Sequence, residues 1–148
     1  RGRYMVIAII GENCSGKSVL SEQIGNTIGA EIVTGKDYLR MAKSESEAEH
    51  LFKEKLKAAT VENIVYDISE KEHLNLLPSE AMRILVKADT DTIKERFKKR
   101  MNGNLPLPVE QMLMRKHGMF DDGIYDCEFD GVSGDCAEIC AAVKNRIK

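Results

Sequence analysis

The sequence predicts an α/β domain of three layers, with about five parallel strands covered by helices on both faces. Three observations carry this expectation. The run Tyr4-Met5-Val6-Ile7-Ala8-Ile9-Ile10 is continuously apolar and rich in Ile and Val, the pattern of a strand buried on both sides. It leads straight into a glycine-bearing turn and then into Ser18-Val19-Leu20-Ser21-Glu22-Gln23-Ile24, which resumes with helical spacing. Strand-like and helical stretches then alternate along the chain, with no internal repeat and no low-complexity linker.

The first helix is expected over residues 17–28, where Gly29 ends it, and Ala30-Glu31-Ile32-Val33-Thr34 reads as the second strand. Gly35-Lys36-Asp37 turns the chain into a charged, helical segment over 38–60. There Ser44-Glu45-Ser46-Glu47 offers caps and early acids, and Leu51, Phe52 and Leu56 form an apolar face. Glu62–Asp67 is a third strand ending in an acid, and Met82–Lys87 a fourth. Asp89 or Thr90 caps a helix to Met101, and Asn102-Gly103-Asn104-Leu105-Pro106 breaks it. Pro108 opens a helix to Gly118, Tyr125–Phe129 suits a fifth strand, and Ser133–Ile147 a closing helix.

Composition bounds the function. A chain of 148 residues with 43% apolar residues is one domain, 1–148, with a substantial core, and its net charge of −2 advertises no nucleic acid. No apolar run reaches transmembrane length and no signal-peptide pattern precedes the first strand, so the expectation is a cytoplasmic protein without membrane contact. Cys14, Cys127, Cys136 and Cys140 form no C-x-x-C pair, and His50, His73 and His117 lack zinc-type spacing to them, so free thiols are expected. Cys136 and Cys140 are four apart on the closing helix, which suits small buried side chains. Cys14 is either incidental or a thiol whose pKa is lowered by the helix end and Lys17.

Gly11-Glu12-Asn13-Cys14-Ser15-Gly16-Lys17-Ser18 matches the phosphate-binding pattern G-x-x-x-x-G-K-[ST], at the strand-to-helix turn where such a loop must sit. Successive N–H groups and the positive end of the following helix point into one space. This makes Gly11, Asn13, Cys14, Ser15, Gly16, Lys17, Ser18 and Val19 the candidate nucleotide-binding set. Lys17 would reach the β- and γ-phosphates and the Ser18 hydroxyl would ligate Mg²⁺, so the implied ligand is a nucleoside triphosphate with magnesium.

With this loop, Asp37 just past strand two, Asp67 at the end of strand three, and Ile84-Leu85-Val86-Lys87-Ala88 followed by Glu95-Arg96-Phe97-Lys98-Lys99-Arg100, the chain resembles the P-loop small-molecule and nucleotide kinases. That family includes adenylate, cytidylate, shikimate and dephospho-coenzyme A kinases. The resemblance implies a P-loop NTPase sheet of order 2-3-1-4-5, and transfer of the γ-phosphoryl group of ATP, with Mg²⁺, to a small-molecule or nucleotide acceptor. It implies that 38–60 is the acceptor side and 101–120 a lid. It further implies that Arg96 packs on the adenine, that Arg100 and Arg115 reach the phosphates, and that Asp67 holds magnesium through water.

Bland alternatives stand beside these roles. The cations of 96–100 also suit a solvated helix end complementing the dipole. Asp37 either orients and deprotonates an acceptor hydroxyl or caps a helix beginning at Tyr38. Asp67 is otherwise an N-cap for Ser69–Glu72, and Asp121-Asp122 a turn pair. His117 and Tyr38 take no role. The stretch from Asp37 to strand three is short and holds one arginine, Arg40, where nucleoside monophosphate kinases use several, and no glycine-rich turn of the shikimate kinase kind follows strand three. A GTPase is disfavoured because Thr34-Gly35-Lys36-Asp37 follows the wrong strand, and a motor-type ATPase because Ile68 stands where a glutamate would. A non-catalytic ATP-binding regulatory module shares the same loop and stays open.

Overall fold

The computed structural model describes residues 4–57 and 62–147. It has strands β1 (Val6–Ile10), β2 (Ala30–Thr34), β3 (Asn63–Ile68), β4 (Met82–Lys87) and β5 (Cys127–Asp130), and helices α1 (Lys17–Ile28), α2 (Glu45–Lys57), α3 (Thr90–Arg100), α4 (Leu107–Lys116) and α5 (Cys136–Ile147). Two 3₁₀ turns, Asp37–Met41 and Lys71–Leu76, complete it. The strands form one parallel sheet in the order β2-β3-β1-β4-β5, as expected.

β1 and β3 are buried at every residue, which is why their sequences run apolar without alternation. Their alternate side chains feed two cores. Ala8, Ile10, Ile64, Tyr66 and Ile68 pack with Phe52 of α2 and with Phe120 on one face. Ile7, Ile9, Val65 and Ile84 pack with Leu20 and Ile24 of α1 and Val143 of α5 on the other. Burying each such side chain contributes about 1.5–3 kcal/mol. Cys140 is buried in the second core, where Cys127 and Cys136 also pack, and all four cysteines are free thiols. Among the described residues, no helix is long and apolar enough to cross a membrane.

Several boundaries differ from expectation. The segment expected as one helical stretch over 38–60 is two pieces, because Ala42 is extended and Ser44 Oγ accepts from the Glu47 N–H to start α2 afresh. Residues 58–60 of that stretch lie outside the described residues. β3 starts one residue later than expected, at Asn63, whose side chain accepts from Met5 N–H and donates to Ile28 O. β5 starts at Cys127 because Asp126 is occupied with the Arg83 backbone, accepting its N–H on Oδ2 at 2.8 Å. α5 starts at Cys136, since Asp130 folds the preceding loop by accepting from Val132 N–H and the Ser133 hydroxyl.

Candidate functional site

The phosphate-loop motif sits at the carboxyl edge of the central strand. Gly11 is required by close approach, since a Cβ there would lie 2.7 Å from Val86 O and 2.8 Å from Ser15 Oγ. The Gly11 N–H donates to Ile68 O, which holds the loop to β3. Two left-handed residues wrap the loop, Gly16 at φ 109° and Cys14 at φ 67°. The second is not a glycine, and its side chain explains why it persists: the thiol is buried with Ile93 of α3 and Leu113 of α4. Cys14 is thus a packing anchor that also lines the cleft above the loop.

Lys17 is buried, donates to Glu12 O at 3.1 Å, and its Nζ is 3.9 Å from Asp67 Oδ1. Asp67 is also buried, and accepts from Ser21 Oγ at 3.2 Å on its other oxygen. Burial pushes the Lys17 ammonium pKa down, against the raising effect of Asp67. Burial likewise pushes the Asp67 pKa up, opposed by Lys17 and the Ser21 hydrogen bond. For both partners desolvation outweighs the pair attraction, so this is a costly arrangement in the free protein. Asp67 caps no helix; the turn after β3 begins at Lys71, behind Glu70.

A cleft of about 840 Å³ opens above the loop. Asn13, Gly16, Lys17, Ser18 and Val19 form its floor, while Arg96, Lys99 and Arg100 of α3 form a cationic wall. Thr34, Gly35, Asp67 and Ser69 close the end near β2, and Phe129, Gly131, Val132, Gly134 and Cys136 the end near β5. Arg96 Nη1 donates to Cys14 O at 3.1 Å and Nη2 to Gly131 O at 2.8 Å, so its guanidinium clamps the phosphate loop to the β5–α5 loop. Gly131 is held there by its N–H on Lys87 O, pressed so closely on the loop that a Cβ would collide with Ser15 O.

The other candidates are scattered. Arg100 lines the cleft, but Arg115 is exposed on α4 away from it. Asp37 does not line it either. Its Oδ2 accepts both the N–H and the hydroxyl of Thr34, at 3.0 Å each, so it does not cap the turn that begins beside it. Tyr38 is buried and stacks on Phe52 with ring centroids 5.4 Å apart. His117 meets Glu12 of the loop, and Asp122 pairs with Lys71 at 3.3 Å on the surface.

Sequence reasoning passed over Ser21, Lys99, Gly131 and the Thr34 and Ser69 end. Ser21 was findable, because it follows Lys17 by one helical turn and shares its face. The glycine after strand five was the visible sign of close backbone approach. Among the described residues no cluster of three or more His, Cys, Asp or Glu side chains is built to hold a metal. Ser18 and Asp67 nonetheless suit Mg²⁺, which takes few protein oxygens and fills its octahedron with water and substrate phosphate.

No family model matches the chain, and no curated protein matches it in sequence. Solved structures do match its fold over nearly the whole length. A gluconokinase from Sinorhizobium meliloti 1021 is 16% identical, with 99% of this chain and 97% of that one covered at a TM-score of 0.63. A shikimate kinase from Acinetobacter baumannii, solved with shikimate, is 12% identical over 97% of this chain and 92% of that one, at a TM-score of 0.65. A deoxyadenosine kinase from M. mycoides is 20% identical over 96% and 97%, at a TM-score of 0.55. The fold is that of the P-loop small-molecule kinases.

Proposed function

We propose that the chain transfers the γ-phosphoryl group of ATP to a hydroxyl of a small molecule. The observation that supports this most is the buried Lys17–Asp67 pair at 3.9 Å under a loop bent by two left-handed residues. Burying two charges at a net cost is unexplained by stability and suits a site built for an anion with its counter-ion.

In this reading the loop N–H groups hold the β-phosphate, and Lys17 exchanges Glu12 O for phosphate oxygens. Ser18 and Asp67 would hold magnesium, which would supply charge neutralisation. Ser21 keeps Asp67 turned towards Lys17. Lys99 and Arg100 place positive charge where equatorial oxygens gain negative charge, and Arg96 fixes the loop through its N–H groups while its guanidinium face is left to pack on the adenine. Asp37 orients the acceptor hydroxyl through the oxygen that Thr34 leaves uncommitted. Residues 101–120 act as a lid, with Gly103 and Asn102 in left-handed conformations as the hinge and Arg115 brought in on closure. Cytoplasm suits both ATP use and four free thiols.

The test is calorimetry with Mg·ADP and Mg·ATP, followed by ADP release across a metabolite panel. Absence of nucleotide binding at millimolar concentration sinks the reading. Binding without transfer to any acceptor favours a non-catalytic regulatory module.

A further inference from the structure

The acceptor end of the cleft is short of hydrogen-bond donors. Thr34 Oγ1 lies 3.0 Å from Asp37 Oδ2. A carboxylate oxygen accepts and does not donate, so the hydroxyl proton of Thr34 is directed at Asp37 and its lone pairs remain for a ligand. The neighbouring N–H groups are spent as well: that of Thr34 on Asp37, and that of Gly35 on Asp67 O at 2.9 Å. Gly35 O receives the Tyr66 hydroxyl at 2.8 Å and keeps its second lone pair. The Asp67 carboxylate adds acceptors. Among the described side chains at this end, Ser69 carries the one uncommitted hydroxyl donor.

Charge follows the same asymmetry. The cleft's cations, Lys17, Arg96, Lys99 and Arg100, all lie on the floor and on the α3 wall, where the transferred phosphate belongs. Lys36 and Arg40, the cations nearest in sequence to the acceptor end, are exposed and line no part of it. Asp37 Oδ1 has no hydrogen-bond partner among the described residues.

We infer that the acceptor is a neutral, hydroxyl-rich small molecule, of the polyol, sugar or nucleoside class, whose O–H groups donate to Thr34 Oγ1 and Gly35 O of the cleft lining and, one hydrogen bond behind Thr34, to Asp37. This rests on the phosphotransfer reading above. A phosphate or carboxylate on the acceptor would face lone pairs and carboxylates, with Lys17, 3.9 Å from Asp67, as the nearest cation and already engaged by the transferred phosphate, an arrangement that costs more than it returns. In the transfer, the acceptor oxygen bonds to the γ-phosphorus, and the bond from that phosphorus to the β,γ-bridging oxygen breaks. ADP leaves with the electron pair, and the hydroxyl proton passes to Asp37 Oδ1.

The experiment uses the full chain. Mg·ADP binding is first measured by calorimetry, and ADP release is then followed with glycerol, ribose, glucose, myo-inositol, adenosine and uridine against gluconate, shikimate, AMP and CMP. Turnover is expected with a member of the neutral set and with none of the anionic set. Thr34→Val should raise the KM of that acceptor about tenfold, the scale of one hydrogen bond, and Thr34→Ser should restore it. Turnover confined to the anionic set, or a KM indifferent to Thr34→Val, overturns the inference while leaving phosphotransfer standing. ADP binding with no turnover of either set overturns both, and absence of ADP binding removes the nucleotide site itself.

Discussion

The Glu12 carboxylate, one residue into the phosphate loop, lies 3.0 Å from Nδ1 of His117, at the far end of α4. Its second oxygen accepts the Gly118 N–H at 2.9 Å. The loop is therefore fastened twice to the C-terminal half of the lid-like segment, through Cys14 packing on Leu113 and through this carboxylate. Glu12→Ala strips the half-buried Gly118 amide of its partner, at a cost of about 1–3 kcal/mol. Hydrogen exchange at Gly118 and Met119 should accelerate tenfold or more. An unchanged exchange rate would show that the carboxylate does not hold this segment.

Arg96 should matter for loop geometry before it matters for chemistry. Charge-assisted hydrogen bonds to Cys14 O and Gly131 O contribute about 1.5–3 kcal/mol each. Arg96→Ala should lower both thermal stability and Mg·ADP affinity. Arg96→Lys, which lacks the fork, should recover only part of each. Thermal unfolding and calorimetry check this, and full recovery by lysine would argue against the clamp.

Gly131 admits no side chain. Gly131→Ala drives a methyl into the Ser15 carbonyl, and overpacking against backbone costs about 1–3 kcal/mol. The melting temperature should fall, and nucleotide affinity with it, because the displaced atom belongs to the phosphate loop. Wild-type affinity in this variant would mean that the β5–α5 loop yields freely.

Lys17→Ala should cost about 2–3 kcal/mol in Mg·ATP affinity. The double variant Lys17→Met/Asp67→Asn should bind no nucleotide and yet melt higher at pH 7, because replacing a desolvated ion pair stabilises by about 1–4 kcal/mol. The pH dependence has a sign. The folded-state pKa of Asp67 is raised above its ordinary value of 3.8, so the folded protein tolerates the neutral acid and resists ionising it. The wild type's disadvantage should be small near pH 4 and grow as pH rises through the Asp67 pKa. Melting curves of both proteins from pH 4 to 7 test this, and a gap independent of pH would contradict the raised pKa.

Much of the fold was legible because its signals are local. A continuous apolar run marked β1 and Ile84-Leu85-Val86 marked β4, glycines marked the loop and the end of α1, and the motif placed Lys17 and Ser18 on the cleft floor. What stayed hidden depends on pairings far apart in sequence. Nothing in the period around Glu12 points to His117, and nothing around Arg96 says that carbonyls of Cys14 and Gly131 will occupy it. Asp37 was correctly seen at a strand end. Its engagement by Thr34, three residues back, follows from turn geometry that the residue types permit without requiring.

The seating of Gly131 on the phosphate loop bears on how the chain matures during synthesis. A chain emerging from the ribosome has displayed the whole motif by Ser18, yet β1 then lacks both neighbours, which begin at Asn63 and Met82. The Gly131 buttress and the Arg96 bonds come later still. A fragment ending before Gly131 would carry every residue of the motif and lack the grip. Nucleotide capture by nascent chains should therefore switch on abruptly, near completion of β5, and not grow in proportion to length.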